Sequence, residues 1–249
     1  YKDGGDNRHF YKRRSLIKKL AAMLMALMML LTMAACGQQA PEQTGGTVEP
    51  GAQSDDAVTG QVDTPAPDED TPEMGSVSGG TYTNEFAGFG CALDETWVFY
   101  TEEQIAEING FLTEGTSDED MKKLMEENQS VQDMYATSTD GLMTMNVVFQ
   151  NMGLLFGTTM SAHEYAELSA QQLPDAMSTY GFENVAAAVT TTEFAGADCP
   201  AVALTATVQD TPMYELVICL KQGNYIYCVT LCSYTEDVTA QMAALFYAL

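Results

Sequence analysis

The chain has 249 residues and carries 35 acids against ten lysines and arginines, a formal net charge of −25. Seven of the ten basic residues stand in residues 1–35, so from Cys36 onward only Lys122, Lys123 and Lys221 face 33 acids, a net charge of −30. A surface that acidic has no electrostatic footprint for nucleic acid or anionic lipid and excludes both as direct partners. Its excess charge suits cations, basic peptides or simple solubility.

In chain order, Arg13, Arg14, Lys18 and Lys19 form a basic region ahead of an apolar run from Leu20 to Met33, and Ala34-Ala35 then lead into Cys36. This succession is the pattern of a secretory signal peptide of the bacterial lipoprotein type. The run is shorter than the roughly 20 apolar residues a membrane-spanning helix needs. Residues 1–35 therefore read as leader and targeting segment. Cys36 is expected to receive a diacylglyceryl group on its thiol; Met33 stands where Leu is usual, and both are bulky and apolar. Two or more acyl chains hold a protein stably at a bilayer, which places the mature chain on the outer face of the cytoplasmic membrane.

Residues 37–79 are rich in Gly, Pro, Thr, Gln, Asp and Glu and contain no aromatic residue, Lys or Arg. Such a segment cannot bury enough apolar surface to offset its ordering entropy and is expected to be a disordered acidic linker. At about 5–6 Å times the square root of its length it reaches about 35–40 Å. Asp55-Asp56 and Asp68-Glu69-Asp70 lack the alternating ligands and turn glycine of an EF-hand loop and read as solvated spacer.

Residues 80–249 suffice for one domain with a substantial core. Two short strands are expected between Gly80 and Trp97. Thr101-Glu-Glu-Gln104 has the form of a capping box for a helix with Ile105, Ile108, Phe111 and Leu112 on one face. A second helix is expected from Ser117, with Met121, Leu124 and Met125 inward. Strands over 132–139 and 142–150 are joined through Asp140-Gly141, a hairpin signal. Ser161-Ala-His-Glu164 caps a long helix to about Tyr180, which Pro174 should kink or shorten. Four strands then follow at 183–194, 200–210, 213–221 and 225–233, and a final helix from Thr235 turns Val238, Met242, Leu245 and Phe246 towards them. Adjacent strands flanked by helices predict an antiparallel β-sheet packed by helices, the α+β class.

The domain's cysteines, Cys91, Cys199, Cys219, Cys228 and Cys232, form no CxxC and no metal-ligand spacing with histidine. A turn at Gly223-Asn224 sets Cys219 opposite Cys228 and allows a cross-strand disulfide. A turn at Gln222-Gly223 shifts the register by two and removes the pairing. Buried reduced cysteine, a small hydrophobe, is the reading preferred from sequence.

The pattern Tyr82-Thr-Asn84, Gly88-Phe89 and Leu93-Asp-Glu-Thr-Trp97 resembles the Tyr-x-Asn, Gly-Phe, Leu-Pro-x-x-Trp opening of PsbP/Mog1-like domains, with Asp94 where that family has proline. The similarity covers the element order of residues 80–249 and extends to Firmicutes lipoproteins that carry such a domain after an acidic linker. It implies an α/β/α sandwich. It implies no site, because fold analogy does not carry one.

Motifs for chemistry are sparse. His163, the sole histidine after the leader, stands in a helix-capping sequence without a Gly-x-Ser-x-Gly, His-Glu-x-x-His or Ser-x-x-Lys string. Glu102, Glu103, Asp118 to Asp120, Glu126 and Glu127 fall on solvated faces rather than in the aromatic-lined cleft that paired catalytic carboxylates need. Gly79-Gly80 and Gly88-Phe-Gly90 lie among strand signals and serve turns, so no cofactor is implied. Trp97, Phe99 and Tyr100 are the residues that would line a recognition surface, although such alternation on a strand more often marks core.

These features predict a non-enzymatic, lipid-anchored module that binds or assists another envelope component. The alternative is a lipoprotein that binds a small ligand or cation for a transporter. Cys36→Ala is expected to move the protein from the membrane to the soluble fraction on cell fractionation; retention in the membrane would contradict the assignment of Cys36.

Overall fold

The computed structural model describes residues 72–109 and 130–249. Cys36, the linker before Pro72, the helix expected from Ser117, and Phe111 and Leu112 lie outside the described residues.

Seven strands form one fully antiparallel sheet: β4 (Trp97–Phe99), β5 (Ser130–Ser138), β6 (Met143–Asn151), β7 (Glu183–Phe194), β8 (Ala197–Val208), β9 (Thr211–Gln222) and β10 (Tyr225–Ser233), in the order β4-β5-β6-β10-β9-β8-β7. Consecutive hairpins build most of it. Between β7 and β8 the chain turns through Ala195 and Gly196, both at positive φ (49° and 79°), which lets a two-residue turn follow the twist of its strands. Gln209 and Asp210 do the same between β8 and β9. Gly223-Asn224 closes β9 onto β10, so that Gln222 pairs with Tyr225.

A second, four-stranded antiparallel sheet, ordered β1-β2-β3-β11, consists of β1 (Ser76–Ser78), β2 (Thr81–Asn84), β3 (Phe89–Ala92) and β11 (Phe246–Ala248). It packs on one face of the large sheet. Tyr82, Phe89 and Phe246 from the small sheet meet Phe149, Phe194, Tyr227, Val229 and Leu231 from the large one in a single buried cluster. Within the small sheet Gly90 lets β3 lie close to β2, since a Cβ there would lie 2.6 Å from the Tyr82 carbonyl oxygen.

The opposite face is partly covered by a long helix. Among the described residues the helices are α1 (Glu102–Ile108), α2 (Gly153–Thr159), α3 (Ala162–Thr179) and α4 (Thr239–Ala243). Capping boxes open α1 at Thr101/Gln104 and α3 at Ser161/Glu164. Tyr165, Ala166, Leu173 and Met177 of α3 are buried against Val202, Leu204, Met213 and Val217. Pro174 lies inside α3 without ending it; Ala170, whose carbonyl loses its usual N–H partner, is only partly buried, and solvent can take that bond. None of these helices is long and apolar enough to cross a membrane.

The architecture is therefore β-sandwich-like, small sheet on large sheet with one long helix behind, and the expected α+β class, a single antiparallel sheet flanked by helices as an α/β/α sandwich, is corrected. The cause lies at the chain's end. Val238, Met242, Leu245 and Phe246 have helical spacing, yet the helix stops after five residues and Phe246 begins a strand that pairs with β3. Met242 and Phe246 join the same inter-sheet cluster, so a burial pattern alone did not separate helix from strand there. A second sheet occupies the face where a helical layer was expected.

Candidate functional site

Two buried polar clusters sit on opposite faces of the large sheet, and an open edge lies at its far end. The first cluster begins at a fault in the ladder. Register shifts between Gln132 and Met134, which leaves Asp133 out of the pairing. Its carboxylate, 5 % exposed, crosses to the small sheet and accepts hydrogen bonds from Tyr82 Oη (2.5 Å), Asn84 Nδ2 (2.7 Å) and the Gly75 N–H (2.6 Å). Asn84 also donates to the Glu73 carbonyl (3.2 Å) and accepts from the Ala87 N–H (2.7 Å). The fold thus engages the chain from Glu73, ahead of the Gly79/Gly80 boundary drawn from composition. Burial holds the Asp133 carboxyl above its ordinary range despite three donors, and burial followed by the Asp133 charge pushes the Tyr82 phenol up. Asn109, just past α1, completes the fault: its amide accepts from the Gln132 N–H (2.8 Å) and donates to the Gln132 carbonyl (2.9 Å), as a neighbouring strand would.

The second cluster surrounds Glu215. Its alternation partners on β9 are apolar, and register sets it directly opposite Cys232, itself opposite Thr144 on β6. Glu215 is 2 % exposed, and neither carboxylate oxygen meets a hydrogen-bond partner among the described residues; the same holds for the nearby Tyr234 hydroxyl. Burial alone pushes the Glu215 carboxyl up to about 8, which keeps most of it protonated at neutral pH. Cys232 and Tyr234 are raised as well, first by burial. An acid poised near neutrality is the property of a proton donor. Here Cys232 and Tyr234 beside it are as buried as Glu215, so the group is sealed from substrate-sized molecules.

The residues expected to form a recognition surface are divided between the two faces. Trp97 and Phe99 pack, half-buried, on the inter-sheet core, with Val98 between them 51 % exposed. Tyr100 turns the other way and meets the Tyr135 ring at 4.5 Å. They make no common surface. His163 is exposed on the first turn of α3, with Nε2 3.6 Å from Glu167. Among the described residues no group of three or more His, Cys, Asp or Glu could hold a metal ion.

The sequence reading passed over the free edge of the large sheet. Among the described residues β7 pairs only with β8, and over residues 184–190 exposure alternates from exposed to half-buried. The small sheet meets β7 at Phe194, whereas Ala186, Ala188 and Thr190 of β7 and Ala203 and Thr205 of β8 lie exposed on one flat face. The signal was present in Val185-Ala-Ala-Ala-Val-Thr-Thr-Thr192, a strand-like run without charge, Gly or Pro. Only its place at an edge required the structure.

No family model matches the chain, and no curated protein matches it. Among solved structures, a protein of Bacteroides thetaiotaomicron VPI-5482 is similar at a TM-score of 0.34 and 10% identity, covering 70% of this chain. This chain spans about half of that one, 49%.

Glu215 sets a pH dependence whose sign is fixed. Because its carboxyl titrates near 8 when folded and near 4.5 when unfolded, the folded state holds the extra proton between those values, and stability falls as pH rises through that window by about 1.4 kcal/mol per unit. Denaturant unfolding of wild type and Glu215→Gln from pH 5 to pH 8 is expected to show the wild type losing ground to the variant by about that slope. A difference constant with pH would contradict the buried, unpaired carboxyl.

Proposed function

We propose that the chain is a lipid-anchored extracytoplasmic module without catalytic activity of its own, and that it takes an extended segment of another envelope protein along the open edge of β7. The observation that carries this reading is the edge itself. Native proteins ordinarily blunt an edge strand with lysine, proline or a short length, because its unpaired N–H and C=O groups are a template for another strand. β7 is twelve residues long, and over residues 185–192 it has none of these devices. One register irregularity, between Glu183 and Ala186, affects its start.

Charge selects the occupant. Glu183 and Glu193 bracket the edge, Asp198 stands opposite Glu193, and the chain from Cys36 onward carries −30. A second copy would bring two strongly acidic domains together, whereas a segment bearing Lys or Arg is attracted. The lipid on Cys36 and the linker supply the setting, holding the domain within reach of the envelope.

The hairpin indicates how to test this without breaking the fold. Its two-residue turn makes Phe194–Ala197 a hydrogen-bonded pair, so Thr192 and Thr190 point their N–H groups to β8 while Thr191 and Val189 point theirs outward. Thr191→Pro therefore deletes one outward donor and no bond to β8. A photocrosslinking side chain at Thr190 in the anchored protein is expected to join a Lys- or Arg-bearing segment of one envelope protein, and Thr191→Pro to abolish that product while leaving the melting temperature nearly unchanged. A product insensitive to Thr191→Pro, or one formed only between copies of this chain, would contradict the proposal.

A further inference from the structure

The β9–β10 hairpin brings two cysteines together. The Gly223-Asn224 turn pairs Gln222 with Tyr225, and two-by-two alternation along the ladder puts Cys219 opposite Cys228. In a hairpin with a two-residue turn the pair beside the turn is hydrogen-bonded, so Leu220–Tyr227 is hydrogen-bonded too and Cys219–Cys228 is a non-hydrogen-bonded pair. Such pairs hold their Cα atoms about 4.5 Å apart with side chains leaning together, inside the span of about 4.4–6.8 Å that a disulfide bridges without backbone movement.

No other thiol of the described residues has this arrangement. Cys232 stands opposite Glu215 and Thr144, Cys91 opposite Tyr82 and Phe246, and Cys199 opposite Thr192. In the structure all five are free thiols.

We propose that Cys219 and Cys228 are an oxidisable pair, closed to a cross-strand disulfide by exchange with an extracytoplasmic disulfide donor of the glutathione or oxidoreductase class. Their side chains face one another across the hairpin, and this mutual interaction raises the Cys219 thiol and lowers Cys228. Cys228 is therefore the attacking sulfur. It displaces one thiolate from the donor disulfide and forms a mixed disulfide. Cys219 gives its proton to the displaced thiolate and attacks the Cys228 sulfur, expelling the donor's second half as a thiolate, which takes up from solvent the proton that Cys228 released on ionising. Two electrons pass from the protein dithiol to the donor, which leaves as two thiols. Cys91 and Cys232, raised by burial and without a facing thiol, stay reduced. Because α3 covers the pair, with Cys219 at 0 % and Cys228 at 8 % exposure, exchange belongs to the stage before that helix docks.

The test is refolding of the full chain in a glutathione buffer containing the oxidised form, followed by denaturing alkylation and trypsin. Cleavage after Lys221 separates the two cysteines, so the bridge is expected as a reduction-sensitive pair of peptides whose fragments join Cys219 to Cys228, with Cys91, Cys199 and Cys232 alkylated. In Cys219→Ser the mixed disulfide is expected to accumulate on Cys228. Alkylation of both Cys219 and Cys228 in the wild type after refolding, or a bridge from either to another cysteine, would overturn the proposal.

Discussion

The carboxylate of Asp133 ties together the two sheets on which the fold depends. A side chain displaced from its ladder by one register fault reaches across the core and gathers a phenol, an amide and a backbone N–H from the other sheet and the chain before it. Removing a carboxylate from water costs several kcal/mol, and hydrogen bonds to a charged group return about 1.5–3 kcal/mol each. Three donors offset much of that cost, but each must come from the correct place. The cluster therefore selects one docking of the small sheet over sliding alternatives that an apolar interface alone would tolerate. Aromatic packing then supplies area: Phe89 meets Phe194 at 5.2 Å and Phe246 at 6.0 Å, and Phe149 stacks on Tyr227 at 5.1 Å.

Coverage of the large sheet is uneven, and function is read from that unevenness. Its centre is buried on both faces, as the unbroken burial of β10 shows. Polar groups placed there are either bonded internally, as Gln132 is to the Val147 carbonyl (3.0 Å), or held neutral by burial, as Glu215 is. Along the exposed stretch of β7 the small sheet is absent and, among the described residues, the outer edge is open, which leaves a long row of backbone groups where a partner strand can reach them.

Local structure was legible where local chemistry decides it. Thr101-x-x-Gln104 and Ser161-x-x-Glu164 each formed the reciprocal bonds their spacing implies, and Gly223-Asn224 set the last hairpin in the register that pairs the cysteines. Long-range partnership was not legible. Tyr82 and Asn84 stood out as a motif, but their common partner lies 51 and 49 residues away in a bulge that no local signal marks. Phe246 satisfies a helical stripe and a strand equally well until the neighbouring β3 claims it. The same holds for Trp97, Phe99 and Tyr100: the first two share the inter-sheet face, while Tyr100, next in sequence, turns to Tyr135 on the other. The open edge of β7 is a property of strand order, and strand order is global.

The most direct measurement of the inter-sheet tie is a double-mutant cycle with Tyr82→Phe and Asp133→Asn, read by denaturant unfolding. If the carboxylate holds the sheets together through that phenol, the two costs are non-additive with a coupling of about 1–3 kcal/mol. Costs that add to within about 0.5 kcal/mol would show the two groups acting independently and would contradict the account.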